Sequence, residues 1–146
     1  MSEILSLETI KIGAVIESKE EAIRTVGALL VNAGRVLPGY VIGMLDREKT
    51  MSTLIGNGVA IPHGQFGDLH SVLTSGISVL QIPEGVLWDN QEKAYLVVGI
   101  ASQHDDHISI LQNLAEVVDD EETVKLLATT SDPQVILDYL NKEVTE

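Results

Sequence analysis

Apolar positions along the chain change their period several times, and each change marks an element. Thr9 to Ile16 is short and β-branched, which predicts a strand or an extended entry. Ser18 precedes Glu21 by three residues, a capping-box pattern at a helix start. Ala22, Val26, Leu29, Leu30 and Ala33 then form a helical stripe, and Gly34 is a natural stop. Pro38 opens a second short helix with Tyr40, Val41, Met44 and Leu45 on its inner face. The polar run from Asp46 to Thr50 ends it.

Gly56 and Gly58 break the next apolar stretch, so a turn is expected to feed a short buried strand, Val59-Ala60-Ile61. Val72 to Ile82 and Ala94 to Ala101 are predicted strands, with a loop or turn at Gly85 between them. Tyr95-Leu96-Val97-Val98 shows no alternation, as expected of a strand covered on both faces. Ser102 or Asp105 is placed to cap a third helix whose stripe is Ile108, Leu111, Leu114, Ala115 and Val118. A short helix follows over Glu122 to Thr129. The last starts at Ser131-Asp132-Pro133 and docks through Val135, Ile136, Tyr139 and Leu140. Strands alternating with helices predict an α/β fold: a single domain over residues 1–146, its mixed sheet flanked by helices on both faces.

Composition narrows the chemistry. With no cysteine, disulfides, thiolate zinc sites and a cysteine nucleophile are excluded. The net charge of −13 repels nucleic-acid phosphates and anionic lipid, and aromatic content of 3% leaves no extensive platform for stacking bases. The first residues lack the basic start and apolar run of a signal peptide, and no apolar stretch is long enough to span a bilayer. A cytoplasmic chain without direct membrane insertion is expected.

Three segments carry candidate chemistry. In Gly56-Asn57-Gly58-Val59-Ala60-Ile61-Pro62-His63-Gly64, small and apolar residues lead to one histidine at a strand's end. Pro62 fixes its own φ and extends Ile61, while Gly64 permits a sharp turn or a close approach. An imidazole so held suits a nucleophile that must meet a second protein. In Asp46-Arg47-Glu48-Lys49, the Arg47 fork either clamps phosphoryl oxygens or belongs to a solvated helix end with internal ion pairs. In Ser102-Gln103-His104-Asp105-Asp106-His107-Ile108, His107 falls near a helix start, where it either donates to an anion or caps the helix. His104 and His107 have H-x-x-H spacing. With His63 they leave open a histidine-based metal-binding domain as a distant alternative. No Walker-type cradle is present, which speaks against ATP as a phosphoryl donor.

Leu45-Asp46-Arg47-Glu48-Lys49, the run from Gly56 to Gly64, and Asp106-His107-Ile108 together resemble the mannitol/fructose-type enzyme IIA of the bacterial phosphoenolpyruvate-dependent sugar phosphotransferase system. The similarity extends from about Ser18 to about Leu140, and Ile82-Pro83-Glu84-Gly85-Val86 adds to the match with the mannitol branch. The resemblance implies a phosphocarrier. His63 matches the phosphorylated histidine, His107 the second active-site histidine and Arg47 an assisting arginine. It implies HPr as donor, a cysteine on a separate IIB protein or domain as acceptor, and an indirect link to a membrane IIC transporter. It implies neither a cofactor nor a metal. A regulatory relative, whose phosphorylation state controls a kinase or transcription factor, would carry the same residues. His70 and His104 match no motif position.

Overall fold

The computed structural model describes residues 4–89, 91–102 and 108–141. A five-stranded mixed sheet runs in the order β1-β4-β5-β3-β2. Its strands are β1 (Ile10–Lys11), β2 (Leu54–Gly56), β3 (Val59–Ala60), β4 (Gly76–Asp89) and β5 (Glu92–Ala101). β4 and β5 form the antiparallel centre, β1 lies parallel to β4, β3 lies parallel to β5, and β2 pairs antiparallel with β3.

Helices α1 (Lys19–Asn32) and α2 (Gly39–Thr50) precede β2, and α3 (Ile108–Asp119), α4 (Glu121–Thr129) and α5 (Pro133–Asn141) follow β5. Local chemistry sets several boundaries. The Ser18 hydroxyl accepts the Glu21 N–H at 3.1 Å, capping α1, and the Glu21 carboxylate accepts the Glu17 N–H at 2.8 Å. Asp120 caps α4 by accepting the Glu122 N–H, and Pro133 stands at the first position of α5.

The sheet divides two apolar cores. On one face Ile77, Val79, Leu96, Val98 and Ile100 pack with Leu114, Val117, Leu127, Ile136 and Leu140 of α3–α5. On the other, Leu80, Ile82, Val97 and Ala101 pack with Ile23, Val26 and Leu30 of α1 and Tyr40 and Met44 of α2. Successive strand residues therefore feed opposite cores, and the absence of alternation in β5 has this cause.

Several expectations are corrected. The expected strand over Val72 to Ile82 begins later, at Gly76, and Val72 forms an isolated bridge to Val36. No loop interrupts the chain at Gly85. The pairing jumps from Gln81↔Leu96 to Val86↔Ala94, so β4 absorbs the surplus residues as a bulge and continues to Asp89. Thr9 to Ile16 contributes only two strand residues, after a 3₁₀ turn over Leu7–Thr9. Ala115 and Tyr139, expected to dock, are exposed. The proposed cap Asp105 lies outside the described residues. Among the described residues, no helix is long and apolar enough to cross a membrane.

Candidate functional site

His63 stands just beyond β3, where the chain still runs parallel to the end of β5. The Ile100 N–H donates to the Pro62 carbonyl at 3.0 Å, and His63 bridges Ile100. The ring is half-buried, with Nδ1 2.9 Å from the Ile61 carbonyl oxygen. A carbonyl only accepts, so Nδ1 carries the hydrogen, and in the neutral ring the lone pair is then on Nε2. The main chain thus selects the tautomer.

A buried tyrosine holds the loop beneath this ring. The Tyr40 hydroxyl accepts the Gly64 N–H at 2.9 Å and donates to the Ile100 carbonyl at 2.8 Å. It bridges the two groups that a parallel ladder pairs at this position. A Cβ on Gly64 would lie 2.6 Å from Tyr40 Cε1, so glycine is required here for close approach. Burial pushes the Tyr40 phenol up, the Gly64 N–H opposes this, and the nearby Asp68 charge adds to the rise. The phenol therefore keeps the proton it donates.

Arg47 lies seven residues after Tyr40, on the same face of α2 and about 10 Å along its axis. Between them, the Asp68 carboxylate packs against Gly43, and it accepts the Gln65 N–H at 2.7 Å. Asp68 thereby joins α2 to the segment that follows His63. Nη1 of Arg47 donates to the Met51 carbonyl at 2.7 Å. The Ile61 N–H donates to the Thr53 carbonyl at 2.9 Å, which ties the segment after α2 to the strand that leads into His63. No carboxylate pairs with Arg47 among the described residues. The internal pair expected of a solvated helix end forms between Lys49 and Asp46 instead, at 3.5 Å.

The structure joins the His63 loop to α2 through Tyr40 and Gly43. His107 and His104 lie outside the described residues. His70 is exposed, with Nδ1 2.9 Å from the Gly67 carbonyl oxygen. Among the described residues, no group of three histidine or carboxylate side chains is gathered to hold a metal. A cavity of about 430 Å³ opens elsewhere, between α4 and the β4–β5 ribbon, lined by residues including Tyr95, Val124 and Lys125.

Two residues that matter here were not legible as such. Tyr40 reads as an ordinary core position, and nothing in its sequence context reveals the hydroxyl bridge. Glu48 reads as exposed charge but is buried. A signal for it existed: Tyr40, Met44 and Glu48 recur every four residues, which continues the apolar stripe onto a carboxylate.

Fold and site define an α/β domain that presents an oriented imidazole on a loop anchored to α2 through Tyr40. Residues 3–143 match the family described as "Phosphoenolpyruvate-dependent sugar phosphotransferase system, EIIA 2", and the chain belongs to that family. It is 45% identical over 143 residues to the mannitol-specific phosphotransferase enzyme IIA component of Halalkalibacterium halodurans, covering 98% of this chain and 97% of that one. It is 46% identical over 130 residues to a multiphosphoryl transfer protein of Escherichia coli O157:H7, covering 88% of this chain. The chain spans only 35% of that longer relative. The fold is similar to that of the enzyme IIA in the Escherichia coli complex of IIAMTL with phosphorylated IIBMTL. That likeness has a TM-score of 0.86 at 38% identity and covers 93% of this chain and 96% of the other. The α/β fold and the mannitol-type IIA resemblance both stand.

Proposed function

We propose that this chain is a histidine phosphocarrier that takes a phosphoryl group from phospho-HPr on Nε2 of His63. It then passes the group to a cysteine of a separate IIB protein or domain, for coupled uptake and phosphorylation of a mannitol-like sugar or polyol. The observation that carries the reading is the 2.9 Å contact between Nδ1 and the Ile61 carbonyl, which leaves Nε2 as the nucleophilic nitrogen.

The neutral Nε2 attacks phosphorus in line as the bond to the donor's histidine breaks, and no oxidant or nucleotide is consumed. In the second step the IIB thiolate attacks the same phosphorus, and the Nε2–P bond breaks. Such a transfer needs positioning and charge stabilisation more than covalent assistance. Arg47 serves as the fork for the phosphoryl oxygens, and His107 donates a further hydrogen bond to them. Met51, 68% exposed, adds an apolar contact for a protein partner at this surface.

The deciding experiment incubates the protein with phosphoenolpyruvate, enzyme I and HPr, and maps label by mass spectrometry under conditions that keep phosphohistidine intact. One phosphoryl group on His63 is expected, dependent on HPr and absent from a folded His63→Ala variant. Label retained in that variant would move the site elsewhere. No label at all on folded wild-type protein, beside a competent control carrier, would refute the carrier reading.

A further inference from the structure

Glu48, between Arg47 and Lys49, is 6% exposed and turned into the protein. Oε1 accepts the Thr53 hydroxyl at 2.6 Å. Oε2 accepts the Thr53 N–H at 3.1 Å and the Trp88 indole N–H at 2.9 Å. The Lys19 ammonium stands 3.7 Å from Oε2, 3.4 Å from Asp89 and 5.9 Å from the centre of the Trp88 ring. A carboxylate removed from water is costly unless donors surround it, and this one is surrounded. Its donors come from the start of α1, the segment before β2 and the far end of β4.

Two lines run from this carboxylate to the site. The first passes along α2: with Glu48 clamped inward, the helical turn of about 100° per residue sets Arg47 on the face shared with Tyr40. The second passes through Thr53. Its carbonyl takes the Ile61 N–H, and the Ile61 carbonyl takes the His63 Nδ1 hydrogen. One anchor thus holds both the arginine's helix end and the strand that orients the imidazole.

We infer that Glu48 is a positioning residue for phosphoryl transfer: its clamp on Thr53 and Trp88 sets Arg47 and Nε2 of His63 against the same phosphoryl group. This rests on His63 being the phosphoryl acceptor. Glu48 itself touches neither donor nor phosphoryl group.

The test compares the full chain with Glu48→Ala, Glu48→Gln and Thr53→Val. Single-turnover transfer from phospho-HPr is read alongside the ¹⁵N shifts of the His63 ring, with circular dichroism as the check on folding. In Glu48→Ala, transfer is expected to slow on the order of 10- to 100-fold, the scale that follows a misplacement of about 1 Å. The ¹⁵N shifts should move from a single Nδ1–H tautomer towards a mixture. Glu48→Gln keeps an oxygen for the Thr53 and Trp88 N–H groups and an amide that can donate to the Thr53 oxygen, so it should stay within a few-fold of wild type. Thr53→Val, which keeps the side-chain shape and loses only the hydroxyl contact, should fall between them and carries the test if Glu48→Ala does not fold.

A folded Glu48→Ala, or Thr53→Val in its place, with wild-type transfer and unchanged ¹⁵N shifts would overturn the inference. Equal loss in Glu48→Ala and Glu48→Gln would also overturn it, since charge and not geometry would then be the cause. If wild type takes no phosphoryl group, the carrier reading falls but the ¹⁵N comparison still decides whether Glu48 orients the imidazole.

Discussion

Replacing Tyr40 by phenylalanine removes a single oxygen from beneath His63. That oxygen accepts the Gly64 N–H and donates to the Ile100 carbonyl, at 2.9 and 2.8 Å. The ring stays and the apolar contact is kept, so nearly the whole effect comes from two main-chain groups that lose their partner. A buried polar group left unpaired costs about 1–3 kcal/mol. The Gly64 N–H is only partly buried and recovers some hydration, so a net loss of about 2 kcal/mol is expected for Tyr40→Phe. At a urea m-value of roughly 2 kcal/mol per molar, the unfolding midpoint should fall by about 1 M. Thermal unfolding should drop by about 4–8 °C for a chain of this size. Hydrogen exchange resolved by residue gives the local reading, and the Gly64 amide should exchange faster while the amides of α4 are unchanged. A midpoint within about 0.25 M of wild type, with Gly64 exchange unaltered, would refute the bridge as the element that holds the loop.

Other consequences can be checked on the same protein. Arg47→Lys keeps the charge and loses the fork, so transfer should slow about tenfold or more with stability little changed; an unimpaired rate would argue against bidentate clamping. His107→Ala should reduce transfer by roughly 10²-fold and leave the urea midpoint in place, whereas an unchanged rate with a lowered midpoint would mark a helix cap. Gly64→Ala drives a methyl into the Tyr40 ring and should cost about 1–3 kcal/mol in urea unfolding. The alkaline limb of stability follows from Tyr40, whose phenol is held above its ordinary 10.0 chiefly by burial. The folded state binds that proton more tightly, so the contribution is complete below pH 10.0 and is lost as pH rises through the folded value. Unfolding titrations above pH 10.0 should show a decline that Tyr40→Phe lacks.

The helices were the legible part of the fold, because their signals are local. Ser18 with Glu21 and Pro133 each announce a boundary within one turn, and the structure places α1 and α5 there. The central hairpin was legible in kind but not in extent. A glycine following a proline and a glutamate reads as a turn, yet Gly85 sits inside β4, because β5 supplies pairing on both sides of the bulge. That pairing lies beyond the reach of a local pattern. In the site, His63 and Gly64 stood out because proline and glycine restrict the backbone wherever they occur. Which nitrogen of His63 is free was not legible, since it depends on where the Ile61 carbonyl points. Glu48 failed for the opposite reason: its neighbours in sequence are charged and exposed, while its partners Trp88 and Thr53 come together only on folding.

The ring of Tyr95 lies against two glycines, one in the β2–β3 turn and one in the bulge of β4. A Cβ on Gly58 would stand 2.8 Å from its Cδ1, and one on Gly85 would stand 2.7 Å from its Cε2. Both glycines also have positive φ, at 80° and 78°. Among descendants of this chain, the three positions should behave as one character. A tyrosine at 95 forbids any side chain at 58 or 85, and drift at either glycine has to wait for a smaller residue at 95. Even then the backbone admits little beyond asparagine or aspartate. Aligned relatives should therefore show substitutions at 58 and 85 almost solely where the ring at 95 is already lost. A family in which bulky residues at 58 or 85 coexist freely with an aromatic at 95 would require this stack to be built differently there.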